Sequence, residues 1–286
     1  MNTETHFCLR VDVDTFEGLK KGIPKCIKFA EKTGCPITMY LSLGKYVTGR
    51  NIFRIIRDRE KIKITIPPWK RSSIRSIFRG ILLPPAKIGD KEKYLLQQYN
   101  QSENIEIQPH GFNHVKWSSH FASFSEEKTH EYVDAFIEEY ESIFSTKPIA
   151  NAAPNFQVND YYFQLLSNKE FKFSSDFQYS HPFNLQPYNI IQLPITEPTI
   201  EEFLHQRKTP KQILEVFRKR FESLKNEKTN YVCFYVHAIF EPFKLEKLLE
   251  DICKMVYRYD LKPTFQSNYY NVVDEYPQLK FSQIQK

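Results

Sequence analysis

The sequence predicts an α/β fold, namely a distorted barrel of about seven or eight β/α units built as a single domain over residues 1–286. Two observations predict it. Short runs rich in β-branched and aromatic residues alternate with amphipathic helical patterns, and 286 residues fit the size of one α/β barrel. A basic amphipathic segment interrupts the alternation and is expected to form an insertion at about residues 48–100.

Strand and helix patterns follow one another along most of the chain. Runs with strand composition occupy 6–13, 37–43, 105–108, 148–152, 171–175, 190–194, 231–237 and 263–265. Apolar residues at helical spacing predict helices over 126–144, 211–225 and 244–258. Ser125, which precedes two acidic residues, is expected to be the N-cap of the first of these helices.

The spacing of the cysteines and the length of the apolar runs limit the class of protein. The five cysteines show no C-x-x-C spacing, so we expect buried thiols rather than a disulfide framework or a cysteine zinc site. The first residues have no basic and apolar leader pattern, and no apolar run approaches the ~18 residues of a membrane span. We therefore expect a globular protein of a reducing compartment, either soluble or bound to a surface.

The positive charge is concentrated in one segment. Residues 50–87 contain eleven Lys or Arg and two acidic residues, a balance of +9, so the remaining residues sum to −3 of the net +6. Apolar residues at helical spacing lie beside arginines, a pattern typical of helices that lie in an anionic membrane interface. The residues expected to dock there are Arg71, Ile74, Arg75, Ile77, Phe78, Arg79, Ile81 and Leu82. The alternative is a solvated helix packed on the barrel, and no nucleic-acid-binding motif accompanies the charge.

The stretch "CLRVDVDTFEG" places two carboxylates together at the end of the first predicted strand. Its apolar residues alternate with Arg10, Asp12 and Asp14, which puts Asp12 and Asp14 on one face of the strand. Because two like charges repel at this spacing, the pair indicates a functional site that uses two carboxylates.

The stretch "EIQPHGFNHVKW" supplies two imidazoles. His110 and His114 are four residues apart, a spacing that would bring them together on one helical turn. Two imidazoles and one carboxylate form a set of ligands that leaves positions open for water and substrate, as a catalytic metal requires. A divalent metal is therefore expected, with zinc favoured and cobalt, nickel or manganese as alternatives. The second carboxylate can then act as a general base.

A third histidine ends a late apolar strand. His237 closes the run "YVCFYVH", and the carboxyl ends of barrel strands carry the active site. Imidazole is suited to protonating a leaving amine, so His237 is the candidate general acid.

These motifs, in this order, resemble the polysaccharide deacetylase (NodB-homology) superfamily of carbohydrate esterases. They are most similar to the branch that deformylates undecaprenyl-phosphate-linked 4-formamido-arabinose in lipid A modification. The stretches that carry the resemblance are "LRVDVDTFEGLKKGIPK", the basic segment, "HGFNHVKW", "NAAPNF", "SSDF", "QLPITEPT" and "YVHA". They extend over most of the chain.

The resemblance implies a role for each matching residue. Asp12 would be the catalytic base, and His237 the general acid. Asp14, His110 and His114 would bind the metal. The residues expected to contact or shape the substrate pocket are Asn155, Gln157, Asp176, Pro194 and Thr196.

One position departs from the family. Gln157 stands where the family has an arginine that pairs with the base aspartate. Because glutamine is neutral, charge compensation of Asp12 is expected from the metal or from another cation.

The implied function is a metal-dependent deacetylase or deformylase acting on an amino sugar linked to polyprenyl phosphate. The resemblance implies a location at the cytoplasmic face of a bacterial inner membrane, which is an anionic surface. It also implies that the free amino sugar gives lipid A a positive charge and weakens its attraction for cationic antimicrobial peptides. Formyl and acetyl remain alternatives for the acyl group. Two other functions stay open: a deacetylase of peptidoglycan or another polysaccharide, and a catalytically weak sugar-lipid binding protein.

Overall fold

The computed structural model describes residues 4–46, 86–88, 92–227, 229–273 and 275–284. The eight residues expected to dock on a membrane, and most of the expected insertion, lie outside these ranges. The strands are β1 (His6–Val13), β2 (Ile37–Tyr46), β3 (Ala86–Ile88), β4 (Ile105–Phe112), β5 (Ala150–Asn151), β6 (Phe173–Ser174), β7 (Phe183–Gln186), β8 (Ile190–Gln192), β9 (Tyr231–His237), β10 (Lys262–Pro263) and β11 (Gln278–Lys280).

The helices cover the outer faces of these strands. They are α1 (Ile23–Thr33), α2 (Lys93–Tyr99), α3 (His114–His120), α4 (Glu126–Phe144), α5 (Asp160–Asn168), α6 (Ile200–His205), α7 (Pro210–Leu224), α8 (Glu241–Lys244), α9 (Glu246–Arg258), α10 (Gln266–Val272) and α11 (Phe281–Ile284). Within the described residues, no helix is long and apolar enough to cross a membrane.

Two mainly parallel sheets surround one interior. In the first, β1 pairs in parallel with β2, β9 and β10, and β2 pairs in parallel with β4 and antiparallel with β3. The second has the order β11-β7-β8-β6-β5, in which only the β7–β8 pair is antiparallel. Backbone hydrogen bonds join the sheets along two seams, from Ala152 N to Pro109 O (3.2 Å) and from Thr196 N to Cys233 O (3.0 Å). The expected α/β fold of distorted-barrel type is confirmed.

The two faces of β1 show why the core has two parts. Leu9, Val11 and Val13 point outward into the large cluster that packs the sheet against the helices. Cys8 points inward, into a smaller cluster with Tyr40, Cys233 and other residues of the barrel interior. All eight residues of β1 are buried, since both faces are covered. The polar residues on the inward face therefore lie in a largely water-excluded interior.

Several predicted elements match closely and others differ for local reasons. Helix α4 has the predicted bounds, and the Ser125 hydroxyl accepts a hydrogen bond from Lys128 N at 3.3 Å as its N-cap. The predicted helix 244–258 is wrong at its start, because Leu245 adopts a non-helical conformation that separates α8 from α9. The β7–β8 hairpin was not predicted. All five cysteines are buried free thiols, as expected.

Candidate active site

Arg10 and Asp12 form a buried ion pair inside the barrel. Arg10 Nε lies 2.6 Å from Asp12 Oδ1 and Nη2 lies 2.7 Å from Oδ2, so the guanidinium donates to both carboxylate oxygens. Its Nη1 donates to the backbone oxygen and the hydroxyl of Ser175. Burial acts to lower the pKa of Arg10, but the Asp12 carboxylate outweighs it and the pKa is raised. The carboxylate is thus held in one orientation, with its charge balanced.

Aromatic rings enclose the Arg10 guanidinium on its remaining sides. Its central carbon lies 4.8 Å from the ring centroid of Tyr40, 5.5 Å from that of Tyr235 and 5.9 Å from that of Phe156. Ring faces attract a desolvated cation. The packing therefore leaves Arg10 little freedom to release Asp12.

Asp14 lies between the two expected imidazole ligands. Its Oδ1 is 3.4 Å from His110 Nε2 and 3.3 Å from His114 Nε2. Burial acts to raise the pKa of Asp14, but the adjacent imidazoles, His114 first, hold it well below its usual value. His110 Nε2 is also 3.8 Å from Asp12 Oδ2, which places the second carboxylate at the edge of the same cluster.

The two histidines converge through a turn, and the predicted common helical turn is wrong. His110 lies on β4, whereas His114 begins α3. Gly111 and Asn113 between them have positive φ angles of 60° and 55°, which reverse the chain sharply. A Cβ at Gly111 would lie 2.7 Å from Trp117 Cε3, so only glycine fits under that ring. The turn brings the imidazole centroids to 5.4 Å.

The donor set fits a divalent metal. His110 Nδ1 lies 2.7 Å from Ala152 O, which can only accept, so Nδ1 donates there and Nε2 is the ring nitrogen that could bind a metal. Asp14 Oδ1 is buried and accepts no hydrogen bond from the described residues. Two zinc ligands at about 2.0–2.1 Å and a tetrahedral angle are about 3.3–3.4 Å apart, which is the spacing of Oδ1 from the two Nε2 atoms. Asp14, His110 and His114 can therefore share one ion.

His237 faces the same cluster from the end of β9. Asp12 and His237 are partners in the β1–β9 register, and His237 Nε2 lies 3.8 Å from Asp14 Oδ2. Its other ring nitrogen, Nδ1, lies 3.6 Å from Glu201 Oε1. A carboxylate facing Nδ1 favours the orientation in which Nε2 points toward the cluster.

Glu241 follows His237 by four residues, and Glu201, His237 and Glu241 form a second group beside the first. The Glu241 carboxylate accepts a hydrogen bond from His237 N at 2.8 Å, while its Oε1 is buried without a hydrogen bond from the described residues. Burial, reinforced by the nearby Glu201 carboxylate, raises the pKa of Glu241 to about 7. At neutral pH Glu241 is therefore partly protonated, which relieves repulsion between the two carboxylates.

The residues expected to contact substrate are in several environments. Asn155 is exposed with a φ of 53°, and Gln157 accepts a hydrogen bond from Trp117 Nε1 at its backbone oxygen. Asp176 is fully buried and accepts from Ala153 N at 2.7 Å, and burial raises its pKa to about 6. It therefore holds the 151–156 segment in place and has no exposed surface for direct contact with a sugar.

The remaining two residues of that set lie after β8. Pro194 is buried. The Thr196 hydroxyl accepts a hydrogen bond from Cys233 N at 2.9 Å, and Thr196 lines an open groove of about 310 Å³ together with Tyr179 and Pro198. Of the two, Thr196 is placed to meet a bound molecule.

Three functional candidates were missed from the sequence. Arg10 precedes Asp12 by two residues on the same face of β1, so period-two alternation already placed its guanidinium beside the carboxylate. Glu241 follows His237 by four residues, but its position depends on the turn between β9 and α8. Glu201 comes from α6, a distant element, and carried no local signal.

Comparisons with known proteins identify the class of fold. No protein-family model matches the chain. A protein of Mycobacterium smegmatis assigned as a polysaccharide deacetylase shares the fold with a TM-score of 0.61 at 16% identity, over 94% of this chain and 90% of that one. A probable polysaccharide deacetylase of Pseudomonas aeruginosa gives a TM-score of 0.60 at 11% identity, over 93% and 89% of the two chains. The chain has the polysaccharide deacetylase fold.

Two curated relatives give a more particular similarity. The chain is 24% identical over 242 residues to the probable 4-deoxy-4-formamido-L-arabinose-phosphoundecaprenol deformylase ArnD of Wigglesworthia glossinidia brevipalpis, covering 82% of each chain. It is 26% identical over 203 residues to the protein of the same name in Shewanella sediminis, covering 68% of this chain and 64% of that one. The resemblance to the deformylase branch is thus confirmed at the level of sequence similarity.

Proposed function

We propose that this protein is a metal-dependent amidohydrolase that removes a short N-acyl group from an amino sugar linked to polyprenyl phosphate. The observation that carries the proposal is the convergence of five side chains from three strand ends, namely Asp12, Asp14, His110, His114 and His237. The deformylase relatives suggest the substrate, and the fold suits hydrolysis of an N-acyl amide.

The side chains divide into the roles that amide hydrolysis needs. Asp12 takes a proton from the attacking water, because its Oδ2 lies 3.8 Å from His110 Nε2, a proposed ligand atom, and the carboxylate is fixed by Arg10. His237 Nε2 gives a proton to the leaving nitrogen as the carbon–nitrogen bond breaks. One water and one amide thereby yield a carboxylic acid and a free amine.

Asp14, His110 and His114 would hold the metal. A divalent ion there would polarise the acyl carbonyl and stabilise the negative charge that develops on its oxygen. Zinc suits two imidazoles and a carboxylate, and cobalt, nickel and manganese are the alternatives.

Arg10 favours an active enzyme over a catalytically weak binding protein. With Gln157 in place of the family arginine, charge compensation of Asp12 was expected from the metal or another cation, and Arg10 supplies it from the base's own strand. The neutral residue at Gln157 therefore no longer argues for a catalytically weak protein.

The substrate and location follow the relatives rather than the described geometry. We propose a role in lipid A modification at the cytoplasmic face of a bacterial inner membrane. The amino group that the reaction frees would reduce the attraction of lipid A for cationic antimicrobial peptides. The charge of residues 50–87 supports a peripheral position on an anionic surface. Hydrolysis of a polysaccharide is the alternative that the fold neighbours suggest.

The experiment compares Asp12→Asn with the wild-type protein on N-formyl and N-acetyl 4-amino-4-deoxy-arabinose linked to a ten-carbon prenyl phosphate. We expect the variant to lose at least about 10²-fold in turnover while binding one metal per chain. Asp251→Asn, on the outer helix α9, is the matched control and should keep full activity. Wild-type protein that binds metal but hydrolyses neither lipid, while deacetylating an N-acetylglucosamine oligomer, would move the assignment to a polysaccharide deacetylase.

A further inference from the structure

A buried glutamine connects the last part of the barrel to the cation beside the candidate base. Strand β10 ends at Pro263, and helix α10 begins at Gln266. The Gln266 side chain lies in the barrel interior and is 0% exposed. Its backbone N–H donates a hydrogen bond to Thr38 Oγ1 at 3.0 Å, which fixes the start of the helix against β2. An amide buried so completely must find its hydrogen bonds inside the barrel.

The hydrogen bonds of the Gln266 amide define its orientation. Nε2 lies 3.2 Å from Leu193 O, and because a carbonyl oxygen can only accept, the group facing it is the NH2 group. Nε2 also donates to the Tyr231 hydroxyl at 2.8 Å and to Ser175 Oγ at 3.3 Å. The amide oxygen therefore faces Tyr40, whose hydroxyl donates to it at 2.6 Å. Both ends of the amide thus have fixed partners.

Two of these partners also contact Arg10. The Tyr40 ring lies against the guanidinium, 4.8 Å from its central carbon, and the hydrogen bond to Gln266 holds that ring in place. Ser175 accepts from Arg10 Nη1 at its backbone oxygen (2.6 Å) and at its hydroxyl (3.1 Å). The same hydroxyl donates to Leu193 O at 2.6 Å. Gln266 and Arg10 therefore share two neighbours, in an interior where all four side chains are at most 1% exposed.

We infer that Gln266 is a positioning residue of the candidate active site, which fixes Asp12 through Tyr40, Ser175 and Arg10. The inference rests on the proposed function, in which Asp12 is the base. Arg10 holds Ser175 with Nη1 and Asp12 with Nε and Nη2. Because the guanidinium is planar and rigid, a shift at Nη1 also shifts the edge that holds Asp12. Within the described residues, no hydrogen bond joins Gln266 to Asp12, so its effect passes through the cation.

The variant Gln266→Met keeps the approximate size of the side chain and removes every hydrogen bond of its amide. We expect kcat on N-formyl 4-amino-4-deoxy-arabinose linked to a ten-carbon prenyl phosphate to fall by at least about tenfold, since an error of about 1 Å in placing a catalytic group costs about 10²-fold. KM and zinc affinity should be unchanged, because the substitution leaves Asp14, His110 and His114 in place. A fall in kcat alone is the result expected of a residue that positions the base.

Tyr40→Phe is the milder variant, because it keeps the ring beside Arg10 and removes only the hydroxyl that donates to Gln266. It should give a smaller decrease in kcat, and it replaces Gln266→Met in every measurement if that variant does not fold. Tyr140→Phe is the matched control. Tyr140 is also buried, and its hydroxyl donates one hydrogen bond, to Ile107 O at 3.0 Å, between α4 and β4. Its loss should leave kcat unchanged.

A double-mutant cycle tests whether Gln266 acts through Arg10. If it does, Gln266→Met should lower kcat/KM much less in protein that already carries Arg10→Lys, because the two-point hold on Asp12 is then absent. Independent effects would multiply instead. Multiplied effects, or an unchanged kcat in folded Gln266→Met, would overturn the inference.

Hydrogen exchange at Arg10 Nε separates failure of this inference from failure of the proposed function, because the measurement needs no turnover. NMR of zinc-loaded protein follows the Nε–H, whose signal is assigned by its loss in Arg10→Lys. We expect exchange to be at least about tenfold faster in Gln266→Met than in the wild type, and unchanged in Tyr140→Phe. Faster exchange in a protein that hydrolyses no lipid would keep the positioning role and remove the substrate assignment. Hydrolysis with unchanged exchange would remove the positioning role and keep the proposed function.

Discussion

The Arg10 guanidinium binds both oxygens of the Asp12 carboxylate from two residues earlier on the same strand, at 2.6 and 2.7 Å. Both side chains point into the barrel interior, where Arg10 is 1% and Asp12 5% exposed. A base fixed by its own strand keeps its position relative to Asp14, which follows on that strand. The position of the candidate base relative to the first proposed metal ligand is therefore set by β1 and the residue that follows it.

Arg10→Lys should keep the positive charge and lose the two-point hold on Asp12. We expect kcat/KM to fall by about 10²-fold, because an error of about 1 Å in placing a catalytic group has that effect. Metal affinity should be unchanged. Arg218→Lys, which removes a two-point contact with Glu215 on the exposed face of α7, is the control and should have no effect on activity.

A second substitution of Arg10 tests the energetics of the pair. Arg10→Met leaves Asp12 buried without its partner and should lower the free energy of unfolding by about 3–5 kcal/mol. Chemical denaturation measures this. An unchanged stability would show that water or another cation compensates Asp12.

His114→Gln removes one of three proposed ligands while leaving β4 intact. We expect zinc affinity to fall by at least about 100-fold, since even the outer partners of metal ligands contribute 10–100-fold. Competition with a fluorescent chelator measures the affinity. His120→Gln, an exposed residue at the end of the same helix, should bind zinc as the wild type does. Equal loss in both variants would indicate damage to α3 rather than loss of a ligand.

Gly111→Ala should disturb the turn that brings the two histidines together. The residue has a φ of 60°, and a Cβ would meet Trp117 at 2.7 Å, so we expect destabilisation by more than about 1 kcal/mol and weaker zinc binding. Gly34→Ala is the control, since Gly34 has a φ of 68° at the end of α1, away from the site. It should lose stability and keep zinc affinity. Zinc affinity retained by both variants would contradict the role given to the turn.

Glu241 makes the stability of the metal-free protein depend on pH. Burial raises its folded-state pKa from 4.5 to about 7, so the folded state binds more protons than the unfolded state between these values. The contribution of Glu241 to the free energy of unfolding is therefore fully present below about pH 4.5 and is lost as pH rises through 7. At 1.36 kcal/mol for each pKa unit, the loss is up to about 3 kcal/mol.

The difference between wild-type protein and Glu241→Gln isolates this contribution. Denaturant unfolding at pH 5 to 8 should show the wild type losing stability relative to the variant as pH rises. Asp176, whose pKa burial raises to about 6, titrates in both proteins and cancels. Glu103→Gln, an exposed control, should run parallel to the wild type. A constant difference between wild type and Glu241→Gln would contradict the raised pKa.

The sequence predicted those features whose signal is local. Alternation along β1 placed Asp12 and Asp14 on one face, and helical spacing with a capping serine gave the bounds of α4. Strand ends near His110 and His237 pointed to one edge of the barrel because parallel strands share that edge. These predictions needed only neighbouring residues and the rules of one fold class.

Features that depend on tertiary contacts were predicted wrongly or missed. His110 and His114 share a site through a left-handed turn whose geometry depends on Trp117 packing over Gly111. Glu201 approaches His237 from another part of the chain. Arg10 is different, because its alternation with Asp12 was visible. The family pattern places the compensating cation at position 157, whereas this chain carries it at Arg10.

Anomalous diffraction at the zinc absorption edge would show whether Asp14, His110 and His114 hold one catalytic metal. We expect a single peak about 2.0–2.2 Å from both Nε2 atoms and from a carboxylate oxygen of Asp14. A peak among Glu201, His237 and Glu241 instead, or zinc-soaked crystals with no peak at Asp14, would contradict it.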